Sequence, residues 1–264
     1  MNAVVSNDGT PIAFDRVGEG PPLILVDGAL CYRAFGPAGP LAALLREHFT
    51  VFTYDRRGRG ESGDTAPYAT EREVEDLEAL VKEAGGSAYM YGISSGAALA
   101  LEAANRGVGI TKLALYEAPF IVDDTLPARP DDYLATMDGL IAADRRGAAL
   151  KLFMRTVGMP AFVIALMRFT PAWSKLKAVA HTLPYDFRIL GDTGSGKPLP
   201  TDRWTSATVP TLVMDGGKSP TWMRNAMRAL ADVLPNASHR TLDGQTHMLK
   251  PGAVAPVLVE FFAG

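Results

Sequence analysis

The sequence predicts an α/β fold, in which a mostly parallel sheet carries helices on both faces and a helical insertion interrupts the second half. Three observations carry that expectation. Short, mostly apolar runs alternate with helical patterns, as in a parallel sheet buried on both sides. One long stretch of amphipathic helical patterns breaks the alternation before it resumes. A GxSxG string falls where one apolar run turns directly into an alanine-rich helical pattern.

The elements follow in order. "AVVS" and "PIAFDRV" alternate in polarity around the turn signal "NDG" and read as an antiparallel hairpin. "PLILV" (Pro22 to Val26), "VFTYD" (Val51 to Asp55), "SAYMY" (Ser87 to Tyr91), "KLALYE" (Lys112 to Glu117) and "TLVMD" (Thr211 to Asp215) read as buried strands. "LAALLREH", "EREVEDLEALVKEA" and "SGAALALEAANR" lie between them with helical spacing. Before "TLVMD", helical patterns cover Tyr133 to Arg145, Ala149 to Val157, Ala161 to Phe169 and Ala172 to Leu183. The expected organisation is a core of residues 1–118 and 209–264 with a helical cap over 119–208. Met137, Met154, Met159 and Met167 fall in the cap; flexible apolar side chains can line a pocket, although simple packing is their commoner use. Met154, Phe162 and Trp173, with Trp222 beyond the sheet, are the candidate substrate contacts.

Composition narrows the partners. A formal charge of −3 leaves no basic face for phosphate backbones, so nucleic acid is not expected. Cys31 is the single cysteine, which excludes an internal disulfide framework and a thiolate-rich metal site and suits a reducing, cytoplasmic setting. No apolar run approaches the roughly 18 residues of a membrane span, and the first residues lack the basic start and long apolar stretch of a secretory signal. A monomer and a homodimer are equally compatible with the chain.

Two glycine-rich strings invite a phosphate ligand and fail on context. "GRGESG" (Gly58 to Gly63) follows a strand, but the dinucleotide fingerprint needs a helix starting inside it to offer free N–H groups, and "DTAPYAT" follows instead. In "GDTGSGKP" (Gly191 to Pro198), Pro198 stands where a Ser or Thr hydroxyl should hold magnesium. No cofactor or metal is expected.

Gly92, Ile93, Ser94, Ser95 and Gly96 make the GxSxG string. A strand that turns straight into a helix needs small residues on both sides of the central one, whose side chain is then exposed on a strained turn. Ser94 is therefore the candidate nucleophile, and the Ser95 N–H, at a helix N-terminus, the candidate oxyanion donor. A serine nucleophile needs a base. Of four histidines, His48 ends an early helix, His181 lies in the insertion and His239 sits in the strand-like "SHRTL". His247, in the loop "DGQTHML" after the last strand, opens on the same sheet edge as Ser94 and is the candidate general base.

The hairpin start, "YDRRGRGES" after a strand, the GxSxG turn, the helical cap and "GQTH" near the end together resemble the α/β-hydrolases over essentially the whole chain. The resemblance implies a mostly parallel eight-stranded sheet flanked by helices. It also implies a third triad member, which in most of that family follows the strand matching "TLVMD"; here "DGGKSP" follows, and Ser219 occupies the carboxylate position. Glu117, at the end of "KLALYE", is placed similarly to the glutamate of the haloalkane dehalogenases and zearalenone lactonases, and the resemblance makes it the candidate acid, with Asp215 and then Asp243 as alternatives. Dehalogenase chemistry does not carry over, because those enzymes attack with an aspartate. Asp27 and Gly28 of "VDGAL" stand where relatives commonly read HG and the lactonases read DG, which implies an oxyanion hole from Gly28 to Ala29 together with Ser95. The function implied is a cofactor-independent hydrolase of an apolar carboxylic ester or lactone, working through an acyl-enzyme. Carbon–carbon bond hydrolysis and perhydrolysis could use the same triad, and a non-catalytic ligand-binding pseudo-enzyme is the rival of another class.

Overall fold

A computed structural model describes residues 2–264. The chain opens with a hairpin of β1 (Asn2–Val5) and β2 (Pro11–Val17), followed by β3 (Pro22–Val26), α1 (Ala38–Leu45), β4 (Thr50–Tyr54), α2 (Thr70–Glu83), β5 (Ala88–Ile93), α3 (Ser95–Asn105) and β6 (Ile110–Tyr116). After the insertion come β7 (Thr211–Gly216), α9 (Thr221–Val233), β8 (Ala237–Leu242) and α10 (Pro251–Ala263). The eight strands form one sheet in the order β1-β2-β4-β3-β5-β6-β7-β8. β2 runs antiparallel to β1 and β4, and every other neighbouring pair is parallel.

The near-continuous apolar strands divide by alternation, since successive side chains point to opposite faces. Ile24, Val26, Phe52, Met90, Leu113, Leu115 and Val213 join one core with α2, α3 and α9. Leu23, Leu25, Val51, Tyr91, Ala114, Tyr116 and Met214 join the other with α1 and α10. α3 lies closest to the sheet: a Cβ on Gly96 would stand 2.2 Å from the Val26 carbonyl oxygen, so only glycine permits this approach.

Between β6 and β7 run α4 (Tyr133–Ala142), α5 (Arg146–Thr156), α6 (Ala161–Met167), α7 (Pro171–Val179), a 3-10 turn (Ala180–Thr182) and α8 (Leu183–Leu190). Two boundaries differ from the sequence expectation. α1 begins before "LAALLREH", because Pro40 is tolerated in a first turn, where its missing N–H has no partner to lose. The helix expected to run to Leu183 stops at Val179: Pro184 cannot sit inside it, so the chain turns and restarts as α8 with Pro184 in the first turn. No helix among the described residues is long and apolar enough to cross a membrane.

Candidate active site

Strand register brings the site together. Val26 pairs with Gly92 across β3 and β5, and Ile93 pairs with Tyr116 across β5 and β6. Gly28, Ser94 and Glu117 therefore follow the carboxyl ends of three adjacent parallel strands, where such sheets place their ligands. The closeness is tight enough that a Cβ on Gly28 would lie 2.8 Å from the Ser94 Cβ and 3.3 Å from its Oγ. Among the described residues four non-glycines have positive φ, and three of them, Leu30, Ser94 and Glu117, surround this spot. Such backbone costs on the order of 1–3 kcal/mol each and persists where the surroundings impose it. Ser94, at φ 58° and ψ −131°, is the sharp turn between β5 and α3, and its N–H is held by the Tyr116 carbonyl at 2.9 Å.

Glu117 is fully buried, and both its carboxylate oxygens are used. Oε1 accepts the Gly216 N–H at 2.8 Å, and Oε2 lies 2.8 Å from His247 Nδ1. The loop carrying His247 is pinned on both sides of the sheet edge. The Tyr116 hydroxyl donates to the Thr246 carbonyl at 2.8 Å, and the Lys218 N–H donates to the Gln245 carbonyl at 2.8 Å. With Nδ1–H given to a carboxylate, the imidazole presents Nε2 as its acceptor, and 32% of the side chain remains open to solvent. Ser94 Oγ makes no hydrogen bond among the described residues.

Beside Ser94, two backbone N–H groups lack partners among the described residues. Ser95 is the first residue of α3, so its N–H has no intrahelical partner, and the Ala29 N–H is likewise without one among the described residues. Behind them lies a buried polar cluster from "YDRRGRGES". Arg56 grips Glu73 through Nε at 2.7 Å and Nη2 at 2.8 Å, and Arg57 grips Asp76 in the same forked way at 2.8 and 2.7 Å. Arg59 and Arg56 both reach Asp186 of α8, at 2.8 Å each. Opposed to a large desolvation, these carboxylates hold the Arg56 guanidinium well above its ordinary range. Burial pushes the Asp27 carboxyl up to about 7, against the pull of the Ala38 N–H and the Arg59 and Arg56 cations. Burial also pushes the Cys31 thiol up to about 12, which removes it as a competing thiolate.

The other candidates have different surroundings. Asp215 is fully buried but faces His239, with Oδ2 2.8 Å from Nε2, and Asp243 is exposed. Ser219 is buried with its Oγ unpartnered among the described residues. His48 is exposed, and His181 sits 3.8 Å from Asp64. Met154 is buried inside the helical segment, Phe162 is 69% exposed, and Trp173 and Trp222 are half-buried. "GRGESG" forms the loop around Asp55, where a Cβ on Gly60 would meet the carboxylate at 2.2 Å, and "GDTGSGKP" forms turns after α8. No group of three or more His, Cys, Asp or Glu among the described residues is arranged to hold a metal ion. Sequence reasoning did not reach Asp186, Arg56 and Arg59. The signal that was available was three arginines within four positions, directly after a buried strand, in a chain without a basic face.

The fold and this arrangement define a hydrolase class, and the chain belongs to the alpha/beta hydrolase family, whose model matches residues 23–257. It is similar to an alpha/beta hydrolase from Sphaerobacter thermophilus, at 53% identity over 99% of this chain and 100% of that one, with a TM-score of 0.91. The fold is also that of an enol-lactonase from Burkholderia xenovorans, at 20% identity over 100% of both chains with a TM-score of 0.70. A thermophilic esterase from Thermogutta terrifontis shares it at 20% identity over 99% of this chain and 97% of that one, with a TM-score of 0.67.

Proposed function

We propose that the protein is a serine hydrolase of carboxylic esters or lactones that works through an acyl-enzyme on Ser94. The observation that carries this reading is the 2.8 Å contact between His247 Nδ1 and the buried Glu117, one strand away from Ser94. In the reaction His247 Nε2 takes the Ser94 proton as Oγ attacks the carbonyl carbon, and the Ala29 and Ser95 N–H groups receive the negative charge that forms on the carbonyl oxygen. Glu117 accepts the Nδ1 proton throughout, fixes the ring and stabilises the imidazolium. His247 then protonates the departing alkoxide, and water, deprotonated by the same ring, releases the acid. In a lactone the departing alkoxide stays attached to the acyl chain. Residues 119–208 act as a cap in this proposal. An apolar substrate is favoured by the apolar interior of that segment, which includes Tyr133, Met137, Leu150 and Met154.

The test is hydrolysis of p-nitrophenyl acetate and butyrate and of a medium-ring lactone by wild type, Ser94→Ala and His247→Ala. Turnover by wild type alone is expected. Equal background rates in all three would remove the proposal.

A further inference from the structure

We propose that Asp186 and Arg59 are positioning residues for the oxyanion hole, a role that rests on the serine-hydrolase reading above. One carboxylate from α8 reaches the scaffolds of both oxyanion donors. On one side, Asp186 Oδ1 accepts the Ser95 hydroxyl at 2.7 Å and so holds the residue whose N–H is one donor. On the other, Asp186 Oδ2 accepts Arg59 Nη2 at 2.8 Å, while Arg59 Nη1 donates to the Gly28 carbonyl at 2.7 Å.

That last bond matters through the geometry of the peptide. The Gly28 carbonyl and the Ala29 N–H belong to one planar trans unit and point in opposite directions. Clamping the carbonyl from behind therefore sets where the Ala29 N–H points. The same cation polarises the peptide and makes its N–H a stronger donor. Weaker bonds extend the clamp: Arg56 Nη1 lies 3.4 Å from the Asp27 carbonyl, and Arg59 Nη1 lies 3.4 Å from that of Cys31. Arg59 Nε donates to the Thr182 hydroxyl at 3.0 Å, beside α8, which fixes the guanidinium plane. Asp186, Arg56 and Arg59 are each about 1% exposed, so no water competes with these bonds. The hole is thus complete only while α8 is seated against α3, and the helical segment contributes to the chemistry without touching the reacting atoms.

Ser95→Ala removes the hydroxyl and keeps the N–H, and Arg59→Lys keeps the charge but cannot span both Asp186 and Gly28. Asp186→Asn weakens both arms at once. Steady-state kinetics on p-nitrophenyl butyrate, with Ser94→Ala as control and thermal unfolding of every variant, tests the relay. Direct removal of one oxyanion donor lowers kcat about 10²–10³-fold, so misaligning one is expected to lower it by ~10-fold or more. KM should stay within about twofold and the pH profile unchanged, because His247 and Glu117 are untouched. The Asp186→Asn loss should approach that of the Ser95→Ala/Arg59→Lys double variant, since both routes pass through one carboxylate. Ser94-dependent activity that persists within twofold in folded Ser95→Ala and Arg59→Lys would overturn the relay alone. Equal rates for wild type and Ser94→Ala would overturn the serine reading and the relay with it.

Discussion

Glu117→Gln isolates the carboxylate with almost no change in volume, and its consequence can be worked from the two bonds Glu117 makes. Both Oε1 and Oε2 accept an N–H, one from Gly216 and one from His247. An amide supplies one acceptor and one donor, so one of these N–H groups must face an NH2. Gly216 belongs to β7 and its backbone cannot turn, whereas the imidazole can change tautomer. His247 then carries its proton on Nε2 and has no lone pair there for the Ser94 proton. In serine triads this carboxylate-to-amide change lowers kcat about 10⁴-fold, equivalent to about 5.5 kcal/mol of barrier. The exchange of a charge-assisted bond for a neutral one affects stability by only about 1–3 kcal/mol. The assay is kcat and KM on p-nitrophenyl butyrate with thermal unfolding alongside. A folded Glu117→Gln protein within tenfold of wild-type kcat would refute this role for Glu117.

Other substitutions check separate parts of the account. Asp215→Asn and Asp243→Asn should each keep kcat/KM within about threefold of wild type, because the first carboxylate serves His239 and the second faces solvent. Gly28→Ala places a methyl 3.3 Å from Ser94 Oγ and should lower kcat/KM by ~10²-fold while the protein still folds, as far-ultraviolet circular dichroism would show. Gly96→Ala drives a methyl to 2.2 Å from the Val26 carbonyl and should destabilise by about 1–3 kcal/mol in urea unfolding. Asp27 supplies a pH test. Its carboxyl is raised from 3.8 to about 7 in the fold, so between those values the native state keeps a proton that the unfolded chain releases. Its contribution to stability is therefore full below about pH 4 and lost as pH rises through 7. Asp27→Asn should match wild type in Tm near pH 4 and exceed it increasingly towards pH 8; a difference that stays flat with pH would contradict this.

Much of the sheet could be read from the chain because its strands are buried on both faces and stand out as unbroken apolar runs. β3 and β7 begin where "PLILV" and "TLVMD" begin, and α3 begins at Ser95 as the alanine-rich pattern does. Ser94 and His247 stood out as candidates because a strand-to-helix turn and a loop after the last strand carry local signatures. Glu117 came only through family resemblance, since nothing local distinguishes a carboxylate that will meet a histidine 130 residues later. α8 and Asp186 escaped for a related reason. Pro184 and the 3-10 turn before it hide the helical period, and an aspartate among apolar residues shows its partners only when Arg56 and Arg59 are brought in from far along the chain.

Covalent capture locates the nucleophile most directly. Wild type is mixed with excess p-nitrophenyl butyrate, quenched in acid within milliseconds and digested, and the peptides are read by mass spectrometry. One butyryl group is expected on Ser94, none on Ser95 or Cys31, and none at all in Ser94→Ala. Turnover by wild type with the acyl group on another residue, or undiminished turnover in Ser94→Ala, would contradict that role for Ser94.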